Sequence, residues 1–180
     1  MNKRQIALQR ICITAVFLAL NIVASSFSIP VPGGHLYLND IVICTAAIIL
    51  NPIEAFVVGG IGAFLGDFFF YPAPMFVSLV THGIQAVVIS LFSHLGKQKH
   101  PAILSGMGVF IGALLMVGGY SIGRAYIYST PEYALIKLPY EFLQAGIGAV
   151  VGMLLCYKGK IRLLFENHLK PQKENKKDPS

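Results

Sequence analysis

The sequence predicts an all-α membrane protein of six transmembrane helices, with both termini on the cytoplasmic side. Three observations lead there. The 180-residue chain is 55% apolar and only 12% charged, with a mean hydropathy of +0.67. A soluble domain averages about 25% charged residues, so this charge is too sparse to cover a water-soluble globule. The apolar residues gather into runs, several near the ~20 residues that cross a ~30 Å hydrocarbon core. Most basic residues stand just outside those runs. A soluble enzyme, a coiled coil and a disordered chain are thereby excluded.

The runs fall at about 7–27, 41–50, 53–70, 75–95, 102–123 and 138–157. The first is too long for the apolar core of a cleaved signal peptide, and no small-x-small site follows close behind it. The second is short. Either it joins the third as one helix from Asp40 to Phe70, giving five spans, or it stands alone and gives six. Charge decides. With six spans and a cytoplasmic N-terminus, Lys3, Arg4, Arg10, Lys97, Lys99, Lys158, Lys160, Arg162, Lys170, Lys173, Lys176 and Lys177 lie inside, and only Arg124 and Lys137 lie outside. With five spans, five basic residues lie inside and nine outside. Cytoplasmic loops carry the excess of Lys and Arg, so six spans are expected. Asn51-Pro52-Ile53-Glu54 supports a break between the second and third. Asn caps a helix, Pro suits its first position and Glu at N3 completes a capping box. Residues 1–165 are expected to form one six-helix domain, and 166–180 a charged, disordered cytoplasmic tail.

The net charge of +6 reads as topology and not as a nucleic-acid surface. The cysteines Cys12, Cys44 and Cys156 all lie in apolar runs and are expected to pack as small side chains. No phosphate loop, H-E-x-x-H or C-x-x-C spacing is found, so neither ATP hydrolysis nor a metal site nor a cofactor is expected.

The polar residues at membrane depth carry more information, because an ionisable group there is costly and faces a cavity or a partner. Nearly all lie toward the outer ends of their spans. Span 3 brings Asp67 and Tyr71. Span 4 brings His82 and Gln85, three apart on one face. Span 5 ends with Tyr120 and Arg124. Span 6 begins with Lys137, Glu141 and Gln144 on one stripe. The inner halves are apolar, which describes one polar pocket open outward above a closed floor, not a pore. Simpler readings stand beside this one. Glu141 complements the start of span 6 or pairs with Lys137; Arg124 snorkels. Tyr120 or Phe76 is expected to stack on a bound ring. The loop from Ser28 to Asp40 contributes His35 and Asn39 to the candidate site. Its prolines favour extended backbone, Gly33-Gly34 supplies a tight turn, and Asp40 is placed as the N-cap of span 2. The loop is either a lid or a passive connector. Small-residue pairs (Gly62/Gly66, Gly108/Gly112, Gly148/Gly152 and Ala15/Ala19) let helices approach closely.

The Ile-Pro-Val-Pro-Gly-Gly stretch at 29–34, the Leu-Asn-Asp at 38–40 and the Gly-Gly-Ile-Gly-Ala-x-x-Gly-Asp run at 59–67 resemble those of the substrate-binding S components of energy-coupling factor (ECF) vitamin transporters. The resemblance covers residues 5–160 and is closest to the pyridoxine or hydroxymethylpyrimidine subgroup. It implies a multi-pass protein of the bacterial cell membrane that binds a small vitamin near the outer face. It also implies a transmembrane T protein and two ABC-type ATPases as partners, docked through Ala15 and Ala19. Two positions depart from the subgroup: His82-Gly83 replaces a more usual Lys-Gly, and Glu141-x-x-Gln144 a more usual Asn-x-x-Gln. A stand-alone secondary transporter is the rival reading, and the absence of discontinuous helices or midplane polar sites speaks against it. A membrane enzyme lacks an evident nucleophile–base set.

Overall fold

The computed structural model describes residues 3–95 and 100–169. The chain is mostly helical. Helix α1 runs over Lys3–Ser26, and a two-stranded antiparallel hairpin follows, β1 Ser28–Val31 and β2 Gly34–Tyr37. Then come α2 Asn39–Ile49, α3 Pro52–Phe70, α4 Met75–Ser93, α5 Pro101–Tyr128, α6 Pro131–Tyr157 and the short α7 Ile161–Leu169. Five of these, α1, α3, α4, α5 and α6, are long and apolar enough to cross a membrane.

Helix α2 is separate from α3, and the expected capping box is the reason. The Asn51 side chain accepts from the Glu54 backbone N–H at 2.9 Å, and the Glu54 carboxylate accepts from Asn51 N–H at 3.3 Å. Arg10 of α1 grips the same carboxylate through two bonds, 2.9 and 2.8 Å long. At eleven residues, α2 is about 16 Å long. Nine of its residues are buried, so it is the core of the bundle. Ile43, Ala46, Ala47 and Ile48 are fully enclosed, as expected of a helix apolar on all sides.

Each glycine pair receives a neighbouring helix. A Cβ on Gly148 or Gly152 would stand 2.5 Å from Asp40 Cβ or 2.8 Å from Cys44 Cβ. Both positions advance by four, so α2 and α6 run in the same direction. Gly62 meets Asn21 and Gly66 meets Ser25, so α1 and α3 are also parallel. Gly108 and Gly112 pack on Phe92 and Ile89 of α4, which is antiparallel to α5.

Two helices contain π-helical turns, Val57–Ile61 in α3 and Arg124–Tyr128 closing α5. At the first, Asn21 Nδ2 donates to the Val58 carbonyl at 2.6 Å. The second carries Arg124 into the bundle, where the residue is 8% exposed.

Helix α6 starts at Pro131, with Thr130 as its N-cap, and not near residue 138 as expected. Pro139 lies in its interior, which neighbouring helices make tolerable in membrane bundles. Glu141 is therefore ten residues inside the helix and does not complement its start. At the far end, α7 crosses the expected 165/166 boundary. Residues 170–180, the rest of the expected tail, lie outside the described residues, as do Lys97 and Lys99.

Candidate functional site

At the hairpin end, polar side chains from α2, α4 and α6 converge on one carboxyl group. Asp40 is 1% exposed. Its Oδ1 accepts from Gln85 Nε2 at 3.1 Å and its Oδ2 from Gln144 Nε2 at 2.6 Å. Gln85 Oε1 in turn meets His82 Nδ1 at 2.7 Å. A carboxamide oxygen only accepts, so this bond assigns the imidazole proton to Nδ1. Gln144 Oε1 accepts from the backbone N–H of Tyr37 at 2.9 Å. One relay thus runs from the hairpin through Gln144, Asp40 and Gln85 to His82, with every link made. Satisfied bonds of this kind are what a buried carboxyl group requires.

A second group flanks the relay. Ser78 bridges the two sides: it donates to Asp67 Oδ2 in a short bond, and its hydroxyl lies 2.5 Å from Tyr120 Oη. The Tyr120 ring stands edge-on to His82, with centroids 5.2 Å apart. Tyr120 is therefore the aromatic residue beside the relay. Phe76 is not: it is 63% exposed and packs on Phe64.

The third group lies under the hairpin turn. Arg124 donates to Glu141 Oε1 at 3.0 Å and to the Gly33 carbonyl at 2.9 Å. The partner of Glu141 in this ion pair is Arg124, and Arg124 does not snorkel. Lys137 is 2% exposed, beneath the same turn. Gly33 has φ +81°, the left-handed geometry that the third residue of a type II turn after Pro32 requires. A Cβ there would come within 3.0 Å of Lys137 Cβ. The loop is thus ordered and tied to the bundle at Gly33 and at Tyr37. Burial also pushes the Tyr37 phenol well above its ordinary pKa.

The structure brings together His82, Gln85, Tyr120, Arg124, Lys137, Glu141, Gln144 and Asp67 in these three groups. Asn39 is buried at the start of α2, and its Oδ1 has no hydrogen-bond partner among the described residues. His35 is half-buried against Tyr37 and Tyr71. Asp40 and Ser78 are the residues the sequence reading missed. Asp40 is not the N-cap of α2: Leu38 holds that position without a side-chain bond, and Asp40 turns inward from the first turn. The sequence contains a Gly-x-Ser-x-Gly spelling at 119–123, contrary to the expectation of none, and it lies inside α5. Its Ser121 hydroxyl donates to the Val117 carbonyl, so it lacks the strand–turn–helix setting of a nucleophile. Ala15 and Ala19 are both exposed on α1, with Ala7 and Ile11 on the same stripe.

Comparison with known proteins gives the family. Residues 5–160 match the family described as ECF-type riboflavin transporter, S component. An uncharacterized protein of Pyrococcus woesei is 31% identical over 147 residues, covering 81% of this chain and 97% of that protein. The thiamine precursor transporter HmpT of Lactococcus lactis subsp. cremoris is 29% identical over 153 residues, covering 82% of this chain and 86% of its own. The relative whose function is named is a transporter and not an enzyme, as is the family whose model matches. A match over residues 5–160 covers most of the 180-residue chain, and on that evidence the chain belongs to the ECF-type riboflavin transporter S component family.

Proposed function

We propose that this protein captures a small heteroaromatic vitamin or precursor, of the pyridoxine or hydroxymethylpyrimidine type, at the hairpin end of its bundle, and does no covalent chemistry. The observation that carries this reading is the Asp40 carboxyl group held between the carboxamides of Gln85 and Gln144. An aminopyrimidine or a hydroxylated pyridine presents adjacent donors and acceptors on one ring edge. A carboxylate beside two carboxamides matches such an edge, because each carboxamide offers both a donor and an acceptor. A monocycle can take over these bonds one for one. Asp67, His82, Tyr120, Arg124, Lys137, Glu141, Asn39 and His35 complete the site, with Tyr120 stacking on the ring. The thiamine precursor transport named for HmpT supports a pyrimidine.

The proposed topology is six passes with both termini in the cytoplasm of a bacterial cell. Its support is the direction of α2. The hairpin follows Ser26 at one end of α1, yet α3 begins at Pro52 and its first turn carries Glu54 against Arg10, near the other end. Between these residues of α1 lie about 24 Å of helix, and α2 covers much of that depth. The partners, a T protein and two ABC-type ATPases, are a general feature of the family. The exposed Ala15/Ala19 stripe is the proposed docking face, and uptake that persists without the ATPases returns the protein to the stand-alone class.

The test is to release and identify the ligand of purified protein by mass spectrometry, then to titrate hydroxymethylpyrimidine, pyridoxine and riboflavin by calorimetry. One of the two monocycles is expected to bind at least a hundredfold more tightly than riboflavin. Tighter binding of riboflavin overturns the substrate assignment.

A further inference from the structure

Outside the relay lies a separate crevice of about 300 Å³, walled by the hairpin turn at Gly33 and Gly34 and by Tyr71, Arg124, Tyr128 and Tyr133. The Arg124 guanidinium divides it from the interior. One edge of that group holds Glu141 and the Gly33 carbonyl. Glu141 stands one turn from Gln144, which reaches Asp40. A molecule moving from the hairpin end to Asp40 by this face passes the Arg124–Glu141 pair.

Three polar atoms at this boundary have no hydrogen-bond partner among the described residues: Arg124 Nε, Tyr128 Oη and Glu141 Oε2. Arg124 is 8% exposed and Glu141 3%. Buried polar atoms are nearly always bonded, so three in one place call for a partner. They comprise a fixed donor, a hydroxyl that both donates and accepts, and a carboxylate acceptor. That set suits a hydroxyl or amino substituent on a ring. Tyrosine rings supply the walls, and Arg124 lies 5.3 Å over the Tyr128 ring. The volume is at the lower end of the range for small-molecule sites and fits one monocycle.

We propose that this crevice is a second, transient site, where a hydroxylated or aminated heteroaromatic molecule lands before Arg124 releases Gly33 and admits it to the Asp40 relay. The proposal rests on the substrate class assigned above, but its test does not. A landing site in series lowers the barrier in both directions. Blocking it slows binding and release alike and leaves the equilibrium unchanged.

Ser129 borders the crevice, is exposed and has no part in the relay, so Ser129→Trp fills the space from outside. Association and dissociation rates are read by surface plasmon resonance on protein held in nanodiscs, with hydroxymethylpyrimidine, pyridoxine and riboflavin as the three probes. For whichever probe the wild type binds, both rate constants are expected to fall at least fivefold, with Kd within twofold of wild type. Tyr128→Phe keeps the shape and removes only the unpartnered hydroxyl, and it is expected to slow association about threefold should the Trp variant fail to fold. Unchanged association in the folded variants, or a raised Kd through faster dissociation, overturns the landing site. Wild-type binding of riboflavin alone overturns the substrate class and leaves the crevice to be judged by the riboflavin rates; binding of none of the three probes overturns both.

Discussion

Gln144 Nε2 donates to Asp40 Oδ2 at 2.6 Å, across 104 residues of sequence. The same carboxamide accepts from the hairpin at Tyr37. Gln144 therefore joins the hairpin to the acid at the centre of the candidate site. Gln144→Ala removes both bonds, and His82→Ala removes the end of the relay. A buried hydrogen bond contributes about 0.5–1.5 kcal/mol, and more when one partner is charged. Each variant is expected to raise Kd about tenfold, which corresponds to about 1.4 kcal/mol. Unchanged affinity in both, measured by calorimetry on folded protein, removes the relay from the site.

Asp40→Asn tests the carboxyl group itself. The change is nearly isosteric, so the packing of Asp40 against Gly148 is kept. The two carboxamides then face an amide, which cannot accept at both positions. A loss of affinity of at least tenfold is expected, with a Tm close to wild type. Wild-type Kd in this variant means that Asp40 is structural only.

The two glycines of α6 that differ by two positions give a paired test of packing. A Cβ on Gly148 would meet Asp40 Cβ at 2.5 Å and the Asp40 backbone carbon at 3.0 Å, whereas a Cβ on Gly146 would meet nothing within 4 Å. Gly148→Ala is expected to overpack the bundle at a cost of about 1–3 kcal/mol. It should lower both Tm and ligand affinity, while Gly146→Ala leaves both unchanged. Equal effects of the two, in thermal melts and calorimetry, contradict the placement of α2 against α6.

Which parts of this arrangement were legible beforehand follows from how local each signal is. Hydropathy placed the five long helices to within a few residues, except at the start of α6. There the charged and polar residues before 138 lower the hydropathy, and the better signature is Thr130 before Pro131, a cap followed by proline at the first position. The break after α2 was legible because a capping box is complete within four residues. Asp40 was not, because an acid at the head of a helix looks the same whether it caps that helix or points into the core. Only the glycine opposite it and the two distant glutamines distinguish the cases. Ser78 was hidden for a related reason: one serine in an apolar helix commonly bonds its own backbone, as Thr45 does to Ile41. The site's helices could be named from sequence, but its centre is made by contacts between residues 45 and 104 positions apart.

The six-pass topology predicts the labelling of single cysteines. Cys44 and Cys156 are buried and Cys12 is exposed, so a Cys12→Ser background suffices. Cysteines introduced at Lys99 and Ser180, both outside the described residues, are expected to be shielded from an impermeant thiol reagent added to intact cells. One at Thr130, between α5 and α6, is expected to label. Labelling at Lys99 from outside ends the six-pass model.

The stripe on α1 separates capture from transport. Ala15 and Ala19 are one turn apart, and both are exposed, as are Ala7 and Ile11. A different face of this end of α1 is the packed one, where Asn21 and Ser25 meet Gly62 and Gly66. A large side chain on the exposed stripe therefore meets no neighbour within the bundle. It would block only the close approach of a partner helix, which small residues allow in lipid. Ala15→Trp and Ala19→Trp are expected to leave expression, Tm and ligand affinity within error of wild type. Each should abolish copurification with the T protein and ATP-driven uptake. Loss of ligand binding together with loss of assembly would show that the substitution disturbs the fold, and assembly that survives both substitutions would move the docking face elsewhere on the bundle.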